Sequence, residues 1–156
     1  MIHVDISIFS GRESHEGMNN TIFLKEIFDF HEPLMVSCLI FKQLLRLYNL
    51  NKPYKGGIGS YSLVIMVYNI LKMKNIEIDG NYMRQILSVI NFLTKDFEPY
   101  ITLITPFKHS KLMPNPELIL NIEDPHEQVL LNTNTRLISE IQDILQQFRD
   151  ILWSIE

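Results

Sequence analysis

Cysteine is nearly absent from this chain. Cys38 is its only thiol in 156 residues, so no disulfide can form within it, and a reducing compartment fits. Long apolar runs are missing as well. None approaches the roughly 20 residues needed to cross a bilayer, and the first residues lack the pattern of a secretory leader. Nor is there a surplus of basic charge. The formal charge is −4, which argues against a protein that grips nucleic acid unaided, because phosphate contacts need a basic surface. The five histidines, His3, His15, His31, His109 and His126, show no metal-gathering spacing such as two on one helical turn, and read as surface residues. Repeats and low-complexity segments are also lacking. What is present, 46% hydrophobic and 21% charged residues, is the composition of an intracellular globular chain of one domain's size, long enough for a real core.

Chain breakers cluster in one stretch. Pro53, Gly56, Gly57 and Gly59 precede a run, Leu63 to Val67, too apolar all round for a surface helix. Glycine lets the chain turn tightly there, and Ser60 reads as the N-cap of a buried helix from Tyr61 to Lys74. Such a turn gathers free N–H groups, the usual ground for an anionic ligand, although many such turns simply pack a helix start closely.

From the start of the chain, Ile2, Val4, Ile6 and Ile8 alternate with His3, Asp5 and Ser7, the period of a strand. Its only candidate partners are short, Tyr100 to Thr105 and Leu118 to Ile122. Ser10 to Gly17 reads as a polar loop. Met18 to Phe30 reads as a helix with Ile22, Phe23, Ile27 and Phe30 inward. Pro33 opens the next helix, which ends near Tyr48. Asp79, Gly80 and Asn81 form a turn, and Tyr82 to Phe97 carries a helical stripe of Met83, Ile86, Leu87, Ile90, Leu93 and Phe97. Four prolines make the stretch from Glu98 to Asp124 extended and looped. Asn132, Thr133, Asn134 and Thr135 supply caps for a last amphipathic helix bearing Leu137, Ile141, Leu145, Phe148, Leu152 and Ile155. The fold class is mainly α, with a strand at the front and short strands near 100–105 and 118–122.

The stretch PYKGGIGSYSLVIMVYNIL resembles the central signature of the Trf-type poly(A) polymerases and the related terminal uridylyltransferases. PLMVSCLIFKQLLRLYNLN resembles the helix preceding it in that family, HVDISIF the strand of the last catalytic aspartate, and LILNIEDP the nucleotide-recognition segment. The likeness covers nearly the whole chain, in the family's order. It divides the chain into 1–16, the last strand and loop of a nucleotidyltransferase catalytic domain, and 17–156, a helical PAP-associated domain with its recognition segment. The family's Gly-Ser motif and Asp-x-Asp pair would lie upstream of Met1.

The resemblance also assigns roles. Asp5 becomes the third carboxylate of a site for Mg²⁺ or Mn²⁺, catalytic and metal-ligating, where a lone strand-edge acid would otherwise read as solvated. Lys42 and Arg46 share one helix face and would otherwise be a solvated basic surface. Lys42 stands nineteen residues before Tyr61, at the family's phosphate-binding position, with Arg46 as a second basic residue. Ser60 would contact the triphosphate and Tyr61 stack on the base, the alternative being a capping serine and a core tyrosine. Gly57 lies in the same turn. Asp124 falls in the recognition segment, but the base-reading pair expected after it is replaced by His126 to Leu131, with Asn132 a place late.

The function implied is part of a template-independent RNA 3′-terminal nucleotidyltransferase. Its GGIGSY turn resembles the poly(A) branch, with ATP as substrate and an RNA 3′ end as acceptor. Nuclear members of that branch rely on a zinc-knuckle RNA-binding protein and a helicase, so these are the implied partners, in the nucleus, with no membrane. The missing catalytic half would be supplied in cis or in trans, and the chain alone is expected to be inactive. Two alternatives stand beside this, an inactive scaffold derived from the family and a helical adaptor with no nucleotide history.

Overall fold

The computed structural model describes residues 16–131 and 133–154. The strand expected at 2–8, with Asp5, lies outside the described residues, as does Asn132. The described chain runs α1 (Glu16–Phe30), α2 (Glu32–Leu47), α3 (Ser60–Met73), α4 (Tyr82–Asn91), β1 (Leu103–Ile104), β2 (Asn121–Ile122) and α5 (Ile138–Trp153). It is mainly helical, as the composition and periodicity lead one to expect.

Burial explains the plan. Leu63 through Val67, then Ile70 and Leu71, are all buried on α3, so this helix has no solvent face to speak of. Each such side chain contributes about 1.5–3 kcal/mol when fully buried, which makes α3 the element the others cover. It packs against α1, α2, α4, β1 and β2. The strands pair in parallel, Leu103 with Asn121 and Ile104 with Ile122, in the places expected but shorter.

Asn69 is the polar exception on α3. Its Nδ2 donates to the Ile104 carbonyl at 3.2 Å and to the Glu123 carbonyl at 2.7 Å, tying the central helix to both strands. A second buried polar link joins the Ser37 hydroxyl on α2 to Gln85 on α4 at 2.9 Å.

Four local expectations change. On α1 the inward stripe is Phe23, Leu24, Ile27 and Phe28. Ile22 is 54% and Phe30 85% exposed, because the helix lies on its neighbours along the 23–27 line. Ser60 is not the cap of α3. Gly59 holds that position with extended backbone, and no side chain bonds there. The stripe beyond α4 leaves α-geometry at Asn91 and continues as a π-helical turn, Phe92–Asp96, closed by the Phe97 N–H on the Phe92 carbonyl. Met83 on that stripe is 49% exposed, at the open end where α4 begins. The last helix begins at Ile138 behind Leu137, with no side-chain cap. Thr133 is turned inward and donates to the Leu120 carbonyl at 2.9 Å.

Candidate functional site

The glycine stretch is built for close approach. Pro53–Lys55 makes a short 3₁₀ turn that ends on Gly56 in the left-handed region, φ 88°. A Cβ at Gly57 would lie 2.2 Å from the Leu50 carbonyl oxygen, so only glycine lets the two backbone segments pass. Three amides there are occupied: Gly56 donates to Pro53, Gly57 to Lys52 and Ile58 to Leu50. The Gly56 carbonyl accepts from Arg136 at 2.7 Å and Leu137 at 3.0 Å, pinning the approach to α5 onto the turn. What the stretch offers outward is the start of α3, where Ser60 is exposed. As at any helix start, the first amides have no intrahelical acceptor.

In the first turn of that helix, the Tyr61 hydroxyl donates to Asp124 Oδ2 at 2.6 Å. Asp124 is 3% exposed. Its other oxygen accepts from the His126 and Glu127 amides at 2.8 and 3.3 Å, so the carboxylate shapes the turn that follows it. The turn closes through Gln128 N–H on the Asp124 carbonyl and Asp124 N–H on the Val129 carbonyl. Burial raises the Tyr61 phenol's pKa, helped by the hydrogen bond to Asp124 and the charges of Asp124 and Glu127, so it stays a protonated donor. Tyr61 is half-buried and packs against the core. The structure thus brings Ser60, Tyr61 and Asp124 together from segments far apart in the chain.

Lys42 and Arg46 lie exposed on α2, at the flank of the face that buries Leu34, Cys38, Phe41 and Leu45. No ion pair or hydrogen bond joins either to Tyr61 or Asp124 among the described residues. Their helix packs on α3, which places both sets of residues on neighbouring elements.

Asn69 has no role in the sequence analysis, and Glu123 stands there only as part of the LILNIEDP segment. Asn69 was signalled only as the single amide within an apolar helix. Glu123 is 3% exposed, and its Oε2 has no hydrogen-bond partner. Its position in the EDP triplet drew attention to Asp124 instead. A third group, the Cys38 thiol, is buried as expected, which pushes its pKa up to about 12.

Among the described residues no three His, Cys, Asp or Glu side chains stand together where an ion could be held. Asp124, the one described carboxylate assigned to the site, already has both oxygens engaged. These residues do not fit a metal centre. No helix of the described chain is long and apolar enough to cross a membrane. Comparison with family models, with curated proteins and with solved structures finds no match.

Proposed function

We propose that this chain is the helical, nucleotide-holding part of a template-independent RNA 3′-nucleotidyltransferase, taking ATP and an RNA 3′ end. The observation that carries the reading is the 2.6 Å bond between Tyr61 and Asp124. The resemblance assigned those residues independently to one nucleotide site, and they belong to segments with no local reason to meet. In this reading the half-buried Tyr61 ring stacks on the base, and Asp124 holds the ring through the phenol. Ser60 and the first amides of α3 face the triphosphate, with Lys42 and Arg46 as point charges for its outer phosphates. Gly57 serves by letting the turn close, since its own amide is spent on Lys52.

Chemistry in this scheme lies elsewhere. Mg²⁺ or Mn²⁺ would activate the 3′-hydroxyl and the leaving pyrophosphate, held by Asp5 together with carboxylates of a catalytic half in cis or in trans. The described residues bind and orient the nucleotide. In this reading RNA grip falls to partners, a zinc-knuckle protein and a helicase in the nucleus, in keeping with the −4 charge.

A second reading, an interaction protein derived from the same family, is favoured by a different observation. Met35 and Leu39 are exposed apolar side chains one turn apart on α2, and Ile22, Phe30 and Leu47 are exposed on α1 and α2; apolar surface of this kind is what a partner would cover. Photolabelling with 8-azido-ATP separates the two. The nucleotide reading expects label in the peptides containing Tyr61 and Asp124, suppressed by unmodified ATP. Label absent, or spread without suppression, leaves the scaffold.

A further inference from the structure

Two opposite charges line one pocket, and the protein uses neither of them. Tyr100, Glu117, Leu118, Ile119, Thr135 and Arg136 border a pocket of about 310 Å³, between the chain leading into β2 and the chain leading into α5. The volume stands at the lower end of small-molecule sites. None of Lys42, Ser60, Tyr61 or Asp124 lines it. The Glu117 carboxylate and the Arg136 guanidinium are exposed, and neither forms an ion pair among the described residues, with the other or with any third group.

The walls are fixed from behind. Asn121 is fully buried, and its side chain bonds three segments around the pocket. Its Nδ2 donates to the Leu118 carbonyl at 2.9 Å and to the Tyr100 carbonyl at 3.4 Å, while its Oδ1 accepts from the Asn115 N–H at 2.7 Å. Tyr100 takes a left-handed φ of 66°, rare for a bulky residue, and its N–H is held on the Ile119 carbonyl at 3.0 Å. Strain of this kind collects where a side chain is presented to a ligand, and Tyr100 is 47% exposed. On the other wall the Arg136 N–H is pinned to the Gly56 carbonyl at 2.7 Å. Thr135 beside it is 3% exposed, and its hydroxyl has no hydrogen bond among the described residues. Unlike Glu123 Oε2, that oxygen is not sealed from solvent, and Thr135 borders the pocket.

The charges select the ligand. A polyanion would suit Arg136 but be repelled by Glu117, and a polyamine would meet the reverse. A zwitterion satisfies both. A guanidinium grips a carboxylate through two parallel N–H bonds, and an ammonium is held by a carboxylate and by the face of a tyrosine ring. Leu118 and Ile119 are half-buried and give an apolar strip for a side chain. We propose that this pocket binds a free amino acid with an apolar side chain, its carboxylate on Arg136 and the Thr135 hydroxyl, its ammonium on Glu117 and Tyr100. The site stands apart from the nucleotide reading at Tyr61 and does not depend on it.

Titration with leucine, followed by amide shifts, tests this beside two analogues: isocaproate, which lacks the ammonium, and isoamylamine, which lacks the carboxylate. Leucine is expected to saturate and to move the amides of 117–119 and 133–136. It should bind about tenfold or more tighter than either analogue, the worth of one charge-assisted hydrogen bond. Glu117→Gln and Arg136→Gln should each weaken leucine by a similar factor, and both positions are exposed, so the variants should fold. Arg136 also borders a smaller pocket beside Lys55, which makes Lys55→Ala the control. Leucine binding should persist there and in Tyr61→Ala. No saturable leucine binding, analogues that bind as tightly, binding unchanged in either charge variant, or binding lost in Lys55→Ala or Tyr61→Ala would each overturn the proposal.

Discussion

The Tyr61 hydroxyl and the Asp124 carboxylate meet at 2.6 Å across 63 positions of the chain. The bond joins the first turn of the central helix to the turn after β2, so a single contact holds the half-buried Tyr61 ring at this end of α3. Asp124 cannot swing away to suit a new partner, because its second oxygen holds the His126 and Glu127 amides. The site is therefore rigid on the protein side.

Replacing Tyr61 by Phe removes the donor and leaves a buried carboxylate oxygen without it. A hydrogen bond to a charged group contributes about 1.5–3 kcal/mol, so chemical denaturation at neutral pH should show a loss of that order. The alkaline limb should change too. Because burial and the Asp124 bond raise the phenol's pKa in the folded state, its stabilisation is complete below the ordinary phenol value of about 10. It is lost as pH climbs above that value. Tyr61→Phe should flatten this part of the stability curve. A curve as steep as that of the unaltered chain would contradict the assignment.

Cys38 supplies a second alkaline signature. Its thiol is raised from an ordinary 9.0 to about 12 by burial alone, so the folded state resists forming the thiolate. The sign is the same: stability is held below pH 9 and falls as pH rises towards 12, by about 1.4 kcal/mol per pH unit. Cys38→Ala should remove that slope at the cost of a small cavity, about 1 kcal/mol. The native thiol should also resist a disulfide reagent at pH 8 until the chain is unfolded. Rapid labelling of the folded chain would place Cys38 at the surface.

The glycine turn distinguishes three otherwise similar residues. At Gly57 an added Cβ would strike the Leu50 carbonyl oxygen at 2.2 Å, and that neighbour is backbone. Gly57→Ala should cost roughly 3 kcal/mol or more in thermal unfolding. At Gly59 the nearest atom is Pro53 Cγ at 3.2 Å, and the extended cap conformation suits any residue, so Gly59→Ala should cost about 1 kcal/mol or less. Gly56→Ala falls between, since its φ of 88° is strained for alanine. Equal effects at 57 and 59 would mean the turn is looser than described.

How far these features could be read in advance follows from what each depends on. Helices announce themselves through local periodicity, and the all-round apolar run of α3 told of its central place. The two short apolar stretches gave the places of β1 and β2, but their parallel pairing with each other was not read from the sequence. Caps and facing were harder, because they are settled by neighbours. Ser60 looks like a cap in isolation, yet Gly59 takes that position with extended backbone, and Ser60 already lies within the helix. Phe30 looks like core, yet among the described residues nothing covers it, and it stands 85% exposed. Thr133 looks like a cap and instead satisfies the Leu120 carbonyl. Within the site, Ser60, Tyr61 and Asp124 were found through motif order, while Asn69 and Glu123 matter through burial, which sequence spacing does not report.

Calorimetric titration of ATP into the chain, its Tyr61→Phe variant and its Tyr61→Ala variant bears most directly on the nucleotide reading. Aromatic stacking on a base contributes about 1–3 kcal/mol, so Tyr61→Ala should raise the ATP Kd by about 5- to 150-fold. Tyr61→Phe should keep most of the affinity, since the ring remains. A Kd unchanged in Tyr61→Ala, alongside a lowered melting temperature, would make Tyr61 a packing residue held by Asp124 and contradict the account.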